Sequence, residues 1–223
     1  MRLRNKPWVK EYLENNRVYL IEWNKEEKLN LSDLFKNKNN PVHLEIGCGK
    51  GNFVTKHALR KKDVNFIGME KETTVVGVAL KKTLNEFQQK NVVNDNLKYF
   101  NDYAEDLSDI FVKESIDKIY LNFSDPWPKA RHVKKRLTHK SFLDIYANII
   151  KSNGILEFKT DNDGLFAFSL EQILENENWE IVYQTTDLYK DASALKDNIP
   201  TEYETKFHNL GKNINKLIIK KTF

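Results

Sequence analysis

A short apolar run, Val42-His43-Leu44-Glu45-Ile46, ends abruptly in Gly47-Cys48-Gly49-Lys50-Gly51, and a helix-competent stretch from Asn52 to Arg60 follows at once. Strand, glycine turn and helix in that order place the chain among α/β architectures, in which ligands gather beyond the carboxyl ends of the strands. Glycines belong in such a turn when backbone must adopt positive φ or approach a ligand closely, and the following helix N-terminus offers unpaired N–H groups. Turns without ligands use glycine too, so the neighbouring strands have to decide.

They repeat the pattern. Asn65 to Glu70 reads as a second strand, followed by helical character from Glu72 to Gln89; Leu97 to Asn101 reads as a third, with a helix around Glu105 to Val112. Ile119 to Phe123 is a fourth. Thr138 is placed to N-cap a helix whose apolar residues Phe142, Leu143, Tyr146, Ile149 and Ile150 recur at helical spacing, with Gly154 near its end. Gly154 to Lys159, Trp179 to Gln184 and Lys216 to Lys220 give three more strands, for seven in all, with an amphipathic stretch from Leu165 to Leu174 between the first two of them. Asp187 to Gly211 is long for a hairpin connection, and loops of that length inside compact domains are commonly functional.

Residues 1–40 carry Trp8, Tyr12, Leu13, Val18, Tyr19, Leu20, Ile21 and Trp23 among many charges, which suits an extension packed on the domain or partly mobile; residues 41–223 form the domain proper. The basic, aromatic start (Arg2, Arg4, Lys6, Trp8, Lys10) is open to two readings, a solvated terminus or a nucleic-acid contact. With 40% hydrophobic residues in 223, one substantial core is possible. A single cysteine, Cys48, excludes an internal disulfide framework, no Cys/His grouping has zinc spacing, and no metal is expected. No window approaches a membrane span and no secretory leader stands at Met1 to Lys10, so cytoplasmic location is expected.

Several acids stand at strand ends. Glu45, just before the glycine turn, suits a cationic ligand better than a pyrophosphate, or it pairs with a lysine or caps a helix. Asn52 stands where a dinucleotide fingerprint wants glycine or alanine, which argues against a nicotinamide oxidoreductase. Glu70, 19 residues after Gly51, is positioned to accept ribose hydroxyls or to face a helix dipole. Asp102 either contacts an adenine amino group or caps the next helix.

The fourth strand runs into Ser124-Asp125-Pro126-Trp127-Pro128-Lys129, where two prolines forbid ladder pairing and stiffen a loop bearing a carboxylate, an indole and an ammonium. Trp127 either stacks on a base or packs under the loop. Five of the eight residues from Lys129 to Arg136 are basic, the clustering that a net charge of +4 needs if it is to grip a polyanion. Asp161 forms a second polar strand exit, and Thr201-Glu202-Tyr203-Glu204 marks the long connection.

L-E-I-G-C-G-K-G, G-M-E-K, Y-L-N-F-S-D-P-W-P-K, F-K-T-D-N and T-E-Y-E, in that order over residues 40 to 210, resemble the bacterial tRNA (guanine-N7)-methyltransferases of the TrmB family. The resemblance implies a Rossmann-like class I methyltransferase fold, a seven-stranded mostly parallel sheet with an antiparallel last strand and helices on both faces. It implies S-adenosylmethionine as methyl donor and guanosine at variable-loop position 46 of tRNA as acceptor. Carried onto matching positions, it makes Glu45, Gly47, Gly49, Glu70, Asp102 and Asp125 donor contacts, with Asp125 also catalytic. Lys129, Asp161, Thr201, Glu202, Tyr203 and Glu204 become substrate contacts, while Arg131, Lys134, Lys135 and Arg136 are expected on the tRNA backbone. Other class I methyltransferases and a non-catalytic tRNA-binding protein are the rival readings; oligomeric state is left open.

Overall fold

The computed structural model describes residues 6–222. Arg2 and Arg4 of the basic start lie outside the described residues. The chain divides into two compact units, residues 1–112 and 113–223.

In the first unit, β1 (Leu20–Ile21), β2 (Val42–Ile46), β3 (Asn65–Met69) and β4 (Leu97–Phe100) run parallel in the order β1-β4-β3-β2. The connecting helices are α2 (Asn52–Arg60) and α3 (Thr73–Gln89). Both crossovers step the same way, and right-handed parallel connections then put α2 and α3 on one face. That face is apolar: Val54, Ala58, Val76, Ala79, Leu80 and Phe87 close over Phe66, Leu97 and Tyr99. Each fully buried Leu or Phe contributes about 1.5–3 kcal/mol of hydrophobic stabilisation. Two buried polar side chains find partners. Tyr99 Oη meets Thr83 Oγ1 at 2.7 Å, and Asn96 Nδ2 donates to the carbonyls of Ala58, Lys61 and Val64 where α2 ends.

Apolar residues of the first 40 pack on the first unit, Tyr12, Leu13, Tyr19 and Leu20 against its core. Helix α1 (Trp8–Asn15) lays Val9 so closely on α3 that a Cβ at Gly77 would come within 2.6 Å of it, while Leu31 and Phe35 are buried. β1 adds an eighth strand to the seven expected; two residues are too few for a periodic signal. A four-residue α4 (Leu107–Ile110) preceded by a 3-10 turn replaces the longer helix expected around Glu105 to Val112.

In the second unit, β5 (Ile116–Asn122) and β6 (Ile150–Thr160) are parallel and joined by α5 (Lys140–Ile149). Helix α6 (Asp163–Leu174) leads to β7 (Trp179–Thr185), and β8 (Asn215–Lys221) inserts antiparallel between β6 and β7, giving β5-β6-β8-β7. The antiparallel last strand is therefore present. In β7 the register slips between Ile181 and Tyr183. The connection from Asp187 to Gly211 is structured: it holds α7 (Ala192–Lys196) and α8 (Glu202–Asn209).

Two local expectations fail here. His139, not Thr138, caps α5, its ring accepting from the Ser141 N–H, because the Thr138 hydroxyl is buried and accepts from Ser169 instead. Gly154 ends no helix. It lies within β6, where an added Cβ would strike the carbonyl oxygens of Lys151 (2.8 Å) and Asp117 (3.0 Å). Among the described residues no helix is long and apolar enough to cross a membrane.

Candidate active site

Register places the acids of the first unit. Ile46 pairs with Met69, and Met69 with Phe100, so the next residues along each strand, Gly47, Glu70 and Asn101, emerge side by side at the carboxyl edge. Gly47, Gly49 and Gly51 have φ of 72°, 55° and 74°. A Cβ on Gly51 would lie 2.2 Å from Tyr99 Oη, so this glycine is fixed by packing. Cβ atoms on Gly47 or Gly49 would meet nothing within 4 Å, so these two present bare backbone to whatever lies beside the turn.

The turn's own N–H groups are largely spoken for. Gly47 and Cys48 both donate to the Met69 carbonyl at 2.9 Å, Gly51 donates to that of Cys48, and Gly49 donates to Glu70 Oε2 at 3.2 Å. With these four N–H groups taken within the turn, it has few donors of its own to offer a phosphate. What it offers is negative charge. Glu45 is 3% exposed beneath the turn, and burial followed by the Glu45 and Glu70 carboxylates pushes the Cys48 thiol well up. Bare glycine backbone beside carboxylates suits a cationic ligand better than an anionic one.

Glu70 is held rigidly, its Oε1 accepting from Glu72 N–H at 3.1 Å. Asn101 Nδ2 donates to the carbonyls of Glu70 and Lys71, and its Oδ1 accepts from Thr73 Oγ1. Asp102 accepts only from the adjacent Tyr103 N–H among the bonds observed and caps no helix, since Tyr103 and Asp106 hold the cap positions. Of its two readings the cap is excluded.

In the second unit the pairing of Asn122 with Lys159 brings the ends of β5 and β6 together, and with them the loops of Asp125 and Asp161. Phe123 leaves β5 with φ 52° and Trp127 sits at φ 42°, left-handed conformations that bulky side chains rarely adopt. Such strain persists only where the surroundings over-determine it, and Arg136 supplies the clamp. Its Nε donates to the Pro126 carbonyl (3.0 Å) and its Nη2 to that of Trp127 (3.2 Å), while the guanidinium lies over the Phe168 ring. The Trp127 ring packs edge-on against His132 with the Lys135 ammonium over it. Arg136, expected on the tRNA backbone, is therefore turned inward on this loop. Lys129, Arg131, Lys134 and Lys135 stay exposed.

Helix α8 brings in the T-E-Y-E residues. Thr201 and Glu204 form a reciprocal capping box. Tyr203 is 44% exposed, its ring 5.1 Å from that of Phe123 and stacked at 4.1 Å on that of Phe207. Burial raises its phenol above the ordinary value, and the Asp161 and Asp125 carboxylates raise it further. Two carboxylates beside an aromatic platform suit a flat base that carries or gains positive charge. Glu204 does not join that surface: it is fully buried, with Lys159 Nζ 2.6 Å from Oε2 and Asn198 Nδ2 2.7 Å from Oε1. Phe123, Phe207 and Lys159 lie inside quoted motifs or beside them, but the alternation of the strands gave no reason to single them out.

A family model described as "Putative methyltransferase" matches residues 39–217. A tRNA (guanine-N(7)-)-methyltransferase of Mesoplasma florum is 80% identical over all 223 residues, covering 100% of both chains. The chain belongs to the tRNA (guanine-N7)-methyltransferase family. A second member, from Mycoplasma capricolum subsp. capricolum, is 56% identical over 220 residues and 99% of each chain. Among solved structures, an antibiotic-related methyltransferase shares the fold with a TM-score of 0.61 at 16% identity, over 91% of this chain and 96% of that one. The family thus has the Rossmann-like class I methyltransferase fold in this chain, with eight strands among the described residues where seven were expected.

Proposed function

We propose that this protein transfers the methyl group of S-adenosylmethionine to N7 of guanosine in tRNA, at position 46 of the variable loop, and works where tRNA does, in the cytoplasm. The observation that carries this reading is the 80% identity over the whole chain with a tRNA (guanine-N(7)-)-methyltransferase. The geometry agrees with it. Glu45, Gly47, Gly49, Glu70 and Asp102 are assigned to the donor, with Asn101 holding Glu70's strand exit in shape. S-adenosylmethionine supplies an electrophilic methyl on a positively charged sulfur.

Guanine N7 is an unprotonated lone pair, so no proton has to leave before methylation and no general base is required. The base becomes cationic in the product. Asp125 therefore acts as a fixed anion that orients the base edge and stabilises the charge it acquires, with Asp161 beside the same phenol. Tyr203 offers a stacking face, a contact that contributes about 1–3 kcal/mol per base. Lys129, Arg131, Lys134 and Lys135 are assigned to phosphates. Glu204 and Arg136 are assigned to holding the site's shape.

Nucleoside mass spectrometry of unmodified tRNA incubated with the protein and S-adenosylmethionine is expected to show 7-methylguanosine, mapped by chain cleavage to the variable loop. Asp125→Ala is expected to cut the single-turnover rate at least about 100-fold. Another methylated nucleoside would overturn the reading, and cleavage elsewhere would overturn the position.

A further inference from the structure

Lys159 has no place in the chemistry above, yet it is one of the most deeply buried polar residues of the second unit. Its side chain is 0% exposed on β6, and its ammonium donates to Asn198 Oδ1 (3.1 Å), the Ile199 carbonyl (3.3 Å) and Glu204 Oε2 (2.6 Å). A lysine ammonium has three N–H donors, and three acceptors meet it. Glu204 is equally enclosed. Its Oε1 accepts from Asn198 Nδ2 (2.7 Å) and Tyr189 Oη (3.3 Å), and its Oε2 also accepts from the Thr201 N–H that opens α8.

A buried ion pair is a poor route to stability, because desolvation offsets most of the attraction and an apolar pair of the same volume serves as well or better. What it does supply is direction. The bonds of Lys159 fall on the segment from Asn198 to Glu204, and Glu204 is the residue after Tyr203. The Lys159 backbone carbonyl accepts from Phe123 N–H (2.9 Å), where the chain enters the Asp125 loop. Two residues beyond Lys159 comes Asp161. One residue thus ties together the three segments that carry Asp125, Asp161 and Tyr203.

We propose that Lys159, through its buried pair with Glu204, is a positioning residue that sets the start of α8 so that Tyr203 faces the Asp125 and Asp161 carboxylates. The proposal deepens the methyltransferase reading by naming what fixes its acceptor side. Lys159 touches no substrate.

The test compares Lys159→Met/Glu204→Gln, which removes both charges at nearly constant volume, with Glu204→Gln alone and with Glu157→Gln. Glu157 lies two residues before Lys159 on the same strand and pairs with Lys118 and Lys216, so its substitution removes a buried carboxylate that also feels Lys159 while leaving the Lys159–Glu204 contact itself in place. Tyrosine 13Cζ labelling, with the Tyr203 resonance assigned by Tyr203→Phe, follows that phenol through its titration in each folded variant. The expected result is that the double variant, and to a lesser degree Glu204→Gln, brings the Tyr203 titration down toward that of an exposed tyrosine. Turnover falls roughly 10- to 100-fold with the KM for tRNA little changed, as misplacement predicts. Glu157→Gln leaves both wild-type. An unaltered Tyr203 titration and kcat in Glu204→Gln or in the double variant overturns the proposal, as does the same loss in Glu157→Gln. The titration is read without substrate, so it decides the positioning role even if no 7-methylguanosine is formed.

Discussion

The glycines of the first turn look alike in sequence and differ in what they do. Gly51 has φ 74° and no room for a methyl against Tyr99, whereas Gly49 has φ 55° and open space. An alanine in left-handed conformation costs about 1–2 kcal/mol. Gly51→Ala adds to this a collision with a hydroxyl already bonded to Thr83 and Thr55. Thermal melts are expected to show Gly51→Ala falling well below Gly49→Ala. Calorimetry with S-adenosylhomocysteine should show the reverse for Gly49→Ala, a folded protein that has lost donor affinity because its new methyl group fills the cradle. Which glycine serves which purpose was not legible, because the deciding atom, Tyr99 Oη, lies 48 residues further on in the sequence. Glu204 misled for the same reason: a motif shows that a carboxylate is needed, not that Lys159, 45 residues earlier, already holds it.

At the scale of elements, the loop from Phe123 to Lys129 and the 3-10 segment Ala130–Lys135 after it form one device, closed by Arg136 on the carbonyls of Pro126 and Trp127. Arg136→Met should therefore behave unlike its basic neighbours. Filter binding of tRNA across a salt series is expected to lose slope by up to about 0.9 for each phosphate contact removed at Lys129, Arg131 or Lys134. Arg136→Met should leave the slope unchanged, alter Trp127 fluorescence and depress turnover. An equal slope change in all four would place Arg136 on the RNA. The strands other than β1 were legible as β-branched and aromatic runs stopped by glycine, proline or acids, and α5 as apolar residues at helical spacing. Helix α8 was not, since it turns only Glu204 fully inward and that residue is polar. Arg136's partners are backbone carbonyls, which no pattern of side chains displays.

For the molecule as a whole, buried carboxylates such as Glu157 are a source of acid sensitivity. Burial alone would raise its pKa, but Lys118 and Lys216 outweigh that and hold it at about 2, against an ordinary 4.5. A carboxyl depressed on folding stabilises above its unfolded pKa, and that contribution is lost as pH falls from about 4.5 toward 2; over the full shift it is on the order of 3 kcal/mol. Denaturant melts between pH 5 and 2 are expected to fall less steeply in Glu157→Gln than in the wild type; parallel curves would show that the carboxylate carries no such linkage. A last consequence follows from the strands paired on one side only. β1 is two residues long, and β7 breaks register at Val182, which is 49% exposed. A short edge and a kinked one are both poor templates for a passing chain. The protein is thereby guarded against strand-to-strand aggregation, although one of these edges displays an apolar residue to solvent.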